Sequence, residues 1–187
     1  MPDMNVIIQS YILLFLVILA NLACAQSFFG SKKKLSKIYA NFPETFYCSC
    51  PMYFEKGKLF PDLKTCNYEF RKQRKRASRI EWEHVVPASH LGKKLPCWKN
   101  GGRKNCRKDS FFKKMEADMH NLVPSVGEIN GDRSNYQFGV IPGEDRIYGY
   151  CDFEIDFKER LAEPKASIRG NIARRYLYFA QIYSIPL

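Results

Sequence analysis

The chain predicts a mixed α+β fold in one modest domain. Two observations carry this. Phe153, Ile155 and Phe157 alternate with Asp152, Glu154 and Asp156, the period-two pattern of a half-buried strand. Shortly after, Ile168, Ile172, Tyr176, Phe179 and Tyr183 fall on one helical stripe, and Pro164 suits the opening turn of that helix. Shorter segments of both kinds precede them, and nothing repeats internally.

Taken in order, Ser31 is a candidate N-cap for a short helix through Leu35, Ile38 and Tyr39 that ends before Pro43. The aromatic run Phe46-Tyr47-Cys48-Ser49-Cys50 reads as a strand, and Gly57 and Pro61 punctuate the loop that follows. Residues 71–79 hold six Lys or Arg in nine positions and lead into a strand over residues 80–86. On a regular strand Glu83 and His84 point to opposite faces, so both can serve one site only if the chain bends, and Pro87 is a cause for such an exit. Residues 92–109 read as a long basic loop around Gly101-Gly102. A helix is expected over residues 111–119. Another is expected after Pro124, with Ser125 and Glu128 spaced as a capping box and Asn130 on its surface.

The first residues are of a different kind. From Val6 to Leu22 the chain is almost wholly apolar, and Ala23-Cys24-Ala25 has the small-x-small form of a cleavage site. Residues 1–25 are read as a secretory signal, and residues 26–187 as the mature domain. A retained anchor helix and a lipoprotein at Cys24 are the rival readings. Cleavage would leave Cys48, Cys50, Cys66, Cys97, Cys106 and Cys151, an even set that in an exported chain implies disulfides rather than a zinc site, since Cys48-Ser49-Cys50 has no second pair at finger spacing. Cys97 and Cys106 flank a basic loop and form the best local clip, which would stabilise the loop by about 2–3 kcal/mol. The other pairings stay open. With 30 basic against 19 acidic residues the formal net charge is +11, and loss of Asp3 with the leader raises it by one. Such a surplus implies an anionic partner, a nucleic acid or a membrane surface.

The chemistry-bearing residues cluster in a few motifs. Glu81-Trp82-Glu83-His84-Val85-Val86-Pro87 sets a carboxylate beside a histidine, the side chain best able to accept a proton from water near neutrality. Glu83 and Asn130 offer oxygens to a cation such as Mg²⁺, which keeps several waters. The alternatives are a core histidine, a solvated strand carboxylate and a helix-surface amide. Arg103, in the Gly101–Cys106 loop, can hold phosphate through two nitrogens; the bland reading is one more loop charge beside Lys104. Trp98 either stacks on a base or packs beneath the loop. Glu116 and Asn121 are read as supports of the site. Arg71, Lys72, Arg74, Lys75, Arg76 and Arg79 look like phosphate contacts that would bind without reading sequence, and Lys104 is read as a further nucleic-acid contact.

These motifs resemble the bacterial endonuclease I family of periplasmic and extracellular nucleases. The matching stretches are Thr45-Phe46-Tyr47-Cys48 with Cys50, Arg76-Ala77-Ser78-Arg79, residues 81–88, Cys97-Trp98, residues 101–106, 115–122 and 127–135, and Ile172-Ala173-Arg174. The resemblance spans about residues 36–183. It implies an α+β fold built around a ββα-metal (His-Me finger) motif that cleaves DNA, and often RNA, at internal phosphodiesters to leave 5′-phosphates. By motif position His84 resembles the general base, Glu83 and Asn130 the ligands of a single Mg²⁺ (Ca²⁺ or Mn²⁺ being alternatives), Arg103 the phosphate-supporting arginine, and Asn121 the residue that steadies the metal-finger loop. Family members usually run on past the position of Leu187, with a helical tail and two more cysteines, so that tail is expected to be missing here.

The resulting expectation is a secreted or periplasmic, monomeric, metal-dependent endonuclease with DNA as its main partner and no stable membrane partner once the signal is removed. The rivals are a catalytically weakened nucleic-acid-binding protein and a basic protein that adheres to anionic membranes.

Overall fold

The computed structural model describes residues 27–143 and 145–186, so the expected signal segment lies outside the described residues. Helices and strands are interspersed along the chain, as an α+β fold requires. The first helix, α1 (Phe28–Tyr39), is capped by Ser27, whose hydroxyl accepts from Gly30 N. Ser31, the expected cap, sits one turn inside, buried, with its hydroxyl donating to the Ala117 carbonyl.

The aromatic run before the first strand is a turn rather than a strand. Thr45 N donates to the Cys50 carbonyl, Cys50 N to Thr45 Oγ1, and Ser49 adopts a positive φ of 50°. Two disulfides pin this turn: Cys48–Cys151 and Cys50–Cys66. The hairpin β1 (Met52–Glu55) and β2 (Lys58–Pro61) follows.

The basic segment continues into a single turn of helix, α2 (Arg74–Ala77), and then β3 (Ile80–His84). Helix α3 (Ala88–Gly92) leads into the expected basic loop, which itself holds two short helices, α4 (Pro96–Lys99) and α5 (Gly102–Cys106). Pro96 occupies the first turn of α4, where its missing N–H costs nothing. The Cys97–Cys106 disulfide joins α4 to α5, as expected for the clip. Helix α6 (Ser110–Glu116) is capped by Asp109, and a 3-10 turn, Met119–Asn121, leads into β4 (Leu122–Val126).

Strand β4 pairs antiparallel with β3, placing Val123 opposite Glu83 and Leu122 opposite His84. It runs directly into α7 (Gly127–Arg133), so β3, β4 and α7 form a strand–strand–helix unit. The capping box does not form. Ser125 is buried in β4, and Glu128 instead accepts from Tyr68 Oη and from the backbone N–H of Arg71, Lys72 and Gln73. Its carboxylate therefore holds the start of the neighbouring basic segment rather than its own helix. Two glycines allow that close approach. A Cβ on Gly127 would lie 2.3 Å from the Arg76 carbonyl, and one on Gly131 2.1 Å from the Arg76 guanidinium.

A three-stranded sheet completes the fold, with β5 (Gln137–Phe138) parallel to β7 (Leu161–Pro164) and β6 (Phe153–Asp156) antiparallel to it. The last helix, α8 (Ala166–Tyr183), starts two residues beyond Pro164, which ends β7. Its expected stripe is the buried one and joins two apolar clusters. Ile168 and Ile172 pack with Val85, Val123, Ile129 and Phe153, whereas Phe179 and Tyr183 pack with Val86, Leu91, Phe112 and Met115. The consecutive residues Val85 and Val86 enter different clusters, which anchors the chain just past His84 on both sides.

Candidate active site

A cleft of about 500 Å³ opens where β3, α5 and α7 converge; Glu83, His84, Arg103 and Asn130 all line it. The structure thus brings together the four residues singled out from the sequence. The strand ends at His84, and this lets adjacent residues reach one cleft despite the alternation of a regular strand.

His84 is buried, and its Nε2 lies 2.9 Å from the Glu116 carbonyl oxygen. A carbonyl can only accept, so Nε2 carries the proton and Nδ1 keeps its lone pair. The Phe28 ring packs against the imidazole with centroids 4.9 Å apart. Burial drives the imidazole pKa down to about 4, with the Arg103 charge adding to the effect and the Glu116 carbonyl opposing it. The ring is therefore neutral at physiological pH and free to accept a proton.

Glu116 also acts through its side chain. Its buried carboxylate accepts from Arg103 Nε at 2.7 Å. One residue therefore fixes the histidine tautomer with its backbone and aims the arginine with its carboxylate. The two terminal nitrogens of Arg103 are not used in that pair. Arg103 itself rides on α5, which the Cys97–Cys106 bridge holds in place, helped by the Asn105 amide donating to the Cys97 carbonyl.

Glu83 is buried and accepts at Oε1 from Tyr47 Oη and from Arg133 Nη1, both at 2.9 Å. Neither bond uses Oε2. Burial pushes the carboxyl pKa up, against the opposing charge of Arg133 and the Tyr47 hydrogen bond. Arg133 is fully buried and also donates to the His84 and Val85 carbonyls, at 3.0 and 2.8 Å, with its guanidinium 4.4 Å from the Phe138 ring centroid. Asn121 closes the same turn from the other side: Oδ1 accepts from Val86 N and Nδ2 donates to Val86 O.

Asn130 reaches the cleft from α7, and its Nδ2 donates to Glu81 Oε2 at 2.6 Å. That bond orients the amide and leaves Oδ1 outside it. Glu81 is held in turn by Arg76 and Arg79. Three of the six expected phosphate contacts are thus already tied to carboxylates, Arg76 and Arg79 to Glu81 and Arg71 to Asp132 in a two-point pair. Arg76 nonetheless lines the cleft, and Lys72, Arg74 and Lys75 are exposed. Lys104 is exposed as well, whereas Trp98 packs on Phe112 at 6.0 Å while also lining the cleft.

Sequence reasoning missed Arg133, Tyr47, Glu81 and Phe28. Arginines seldom lie fully buried, so Arg133 carries no local signal of its role. The signal for Glu81 was present but weak, an acid flanked by Arg76 and Arg79.

A cation would fit this donor set. Among the described residues no three His, Cys, Asp or Glu side chains gather at a common point. Glu83 and Asn130, which both line the cleft, carry hard oxygens, few enough to suit an ion that retains most of its water.

Fold and cleft together define an α+β protein with a polar, arginine-bearing cleft suited to an anionic ligand. The chain belongs to the Endonuclease I family, whose profile matches residues 20–186. It is 52% identical over 160 residues to an extracellular deoxyribonuclease of Aeromonas hydrophila, covering 85% of this chain and 70% of that protein. A periplasmic deoxyribonuclease of the same organism is 52% identical over 164 residues, covering 87% and 69%. Endonuclease-1 of Buchnera aphidicola is 46% identical over 162 residues, covering 87% and 65%.

Proposed function

We propose that this chain is an exported, divalent-metal-dependent endonuclease that hydrolyses internal phosphodiesters of DNA without strong sequence preference, on a ββα-metal site formed by β3, β4 and α7. Family membership and the names of its relatives, an extracellular and a periplasmic deoxyribonuclease, support the activity and the exported setting. The observation that carries the mechanism is the bond from His84 Nε2 to the Glu116 carbonyl.

With Nε2 protonated, His84 Nδ1 takes a proton from a water in the cleft, and that water attacks phosphorus. The bond from phosphorus to the 3′ oxygen breaks, leaving a 5′-phosphate, and the departing oxygen takes a proton from solvent water to become the 3′-hydroxyl. Arg103, aimed by Glu116, holds a non-bridging phosphate oxygen through its terminal nitrogens and stabilises the charge that grows there. Glu83 and Asn130 would hold a divalent cation, Mg²⁺ being the best match, which supplies charge stabilisation to the phosphate and the leaving oxygen. Arg133 and Asn121 keep the turn after His84 from shifting. Lys72, Arg74 and Lys75 add affinity through phosphates, so recognition falls with salt and carries little sequence information. RNA presents the same backbone phosphates and is a secondary substrate.

The test is plasmid nicking by the mature chain with Mg²⁺ and with EDTA. The expected result is relaxation of supercoiled DNA in Mg²⁺ and none in EDTA. Retained DNA binding without nicking under both conditions would overturn the reading in favour of a nucleic-acid-binding protein that has lost catalysis.

A further inference from the structure

A second cavity, of about 650 Å³, lies beside the cleft and is not used by the chemistry above. Its size falls in the range of small-ligand sites. The two are lined by neighbouring residues. Ser89 and Asn135 line the cleft, whereas the next residue, His90, and Gln137 line the cavity. The cavity walls are mostly apolar, with Val140, Ile172 and the half-buried rings of Phe138 and Tyr176 set edge to face at 6.4 Å. Lys93 and Lys94 also line it, are exposed and have no ion-pair partner among the described residues. Arg169 lines it too but is engaged by Glu163 and the Pro164 carbonyl.

An aromatic, apolar hollow with two free ammonium groups matches a ligand with a flat apolar face and an adjoining negative charge. A nucleotide has both. Exposed apolar surface of this kind marks binding sites, and protein surfaces that grip single strands pair stacking rings with cations along the backbone. A duplex keeps its base faces stacked and cannot offer one, so the fitting form is an unpaired nucleotide.

We propose that this cavity is a subsite for one unpaired nucleotide of a nucleic-acid strand passing through the cleft, its base against Phe138 and Tyr176 and its phosphate at Lys93 and Lys94. The proposal rests on the nuclease reading for the identity of the strand. It extends that reading by giving the protein a grip on frayed or single-stranded DNA beside the point of cleavage.

The test measures binding of fluorescent (dT)₄ and of the same tetranucleotide made abasic, by anisotropy in EDTA so that no cleavage intervenes. The variants are Ala173→Trp, which fills the cavity from an exposed helix position without changing charge, and the double variant Lys93→Ser/Lys94→Ser. Wild type is expected to bind (dT)₄ about tenfold more tightly than the abasic strand, the effect of roughly one stacked base, and Ala173→Trp to erase that preference. The lysine variant is expected to weaken both strands. Equal binding of the two strands by wild type, or an unchanged base preference in Ala173→Trp that unfolds at the wild-type temperature, would overturn the subsite. Should Ala173→Trp fail to fold, unchanged (dT)₄ affinity in the lysine variant would overturn it instead. Because binding is read without metal or turnover, the result stands whether or not the protein nicks plasmid DNA, and a failure of nicking bears on the nuclease reading alone.

Discussion

At the scale of single residues, three polar side chains of the cleft each have one fixed partner and polar atoms outside that bond. His84 uses Nε2 and keeps Nδ1, Arg103 uses Nε and keeps its terminal nitrogens, and Asn130 uses Nδ2 and keeps Oδ1. All three residues line one cleft, and their partners Glu116 and Glu81 are buried or paired in turn. Arg103→Ala should therefore lower kcat by about 100-fold, the scale of removing one charge-stabilising donor, while DNA affinity falls far less. Plasmid nicking under saturating substrate together with a binding titration checks both numbers. A loss confined to affinity would return Arg103 to the role of a loop charge. At this scale the sequence was legible where chemistry needs rare neighbours, as in Glu83-His84. It was silent on Arg133, because burial of an arginine depends on three acceptors from β3 and the turn after it, which come together only in the folded chain.

At the scale of elements, the strand–strand–helix unit is held by acids on α7 and β3 that seize the basic segment preceding β3. Glu128, Asp132 and Glu81 each take part of residues 71–79. The segment is thus partly structural, which composition alone could not distinguish from a wholly solvated phosphate-binding face. The contact demands glycine at the start of α7. Gly127→Ala would drive a methyl to within 2.3 Å of the Arg76 carbonyl, a backbone atom that cannot swing aside. Gly131→Ala meets the far end of the Arg76 side chain, which can. The expected outcome, read by urea denaturation, is a loss of about 2–3 kcal/mol for Gly127→Ala and clearly less for Gly131→Ala. The long stripe on α8 and the Cys97–Cys106 clip were legible because each is set by local spacing. Ser31, Ser125 and the Phe46–Cys50 run misled because their fate was decided by distant partners: Ala117, the β3 ladder and two disulfides.

At the scale of the whole molecule, α8 unites two apolar clusters, and the Cys48–Cys151 bridge joins residues 103 apart in sequence. A polar contact ties the end of α8 to the loop before β4: Asp118 accepts from Tyr178 and Tyr183 and from the backbone and ring of His120. Burial alone would raise the Asp118 pKa, but the hydrogen bonds from His120, Tyr183 and Tyr178 outweigh it and hold the carboxyl below its ordinary value. A group depressed in the folded state binds its proton more readily when unfolded. Its contribution is therefore complete above about pH 4 and is lost as pH falls through the lower folded value. Asp118→Asn should accordingly destabilise the protein near neutrality, with the gap from wild type narrowing as pH drops from 5 to 3. Denaturation midpoints across that range test it, and a constant gap would contradict it.

The account as a whole turns on a neutral imidazole that accepts a proton at Nδ1 beside a bound phosphate. The most direct measurement compares His84→Ala with wild type in Mg²⁺, reading plasmid nicking and DNA binding on the same preparations. Nicking is expected to disappear while binding persists. Nicking by His84→Ala at the wild-type rate would contradict it.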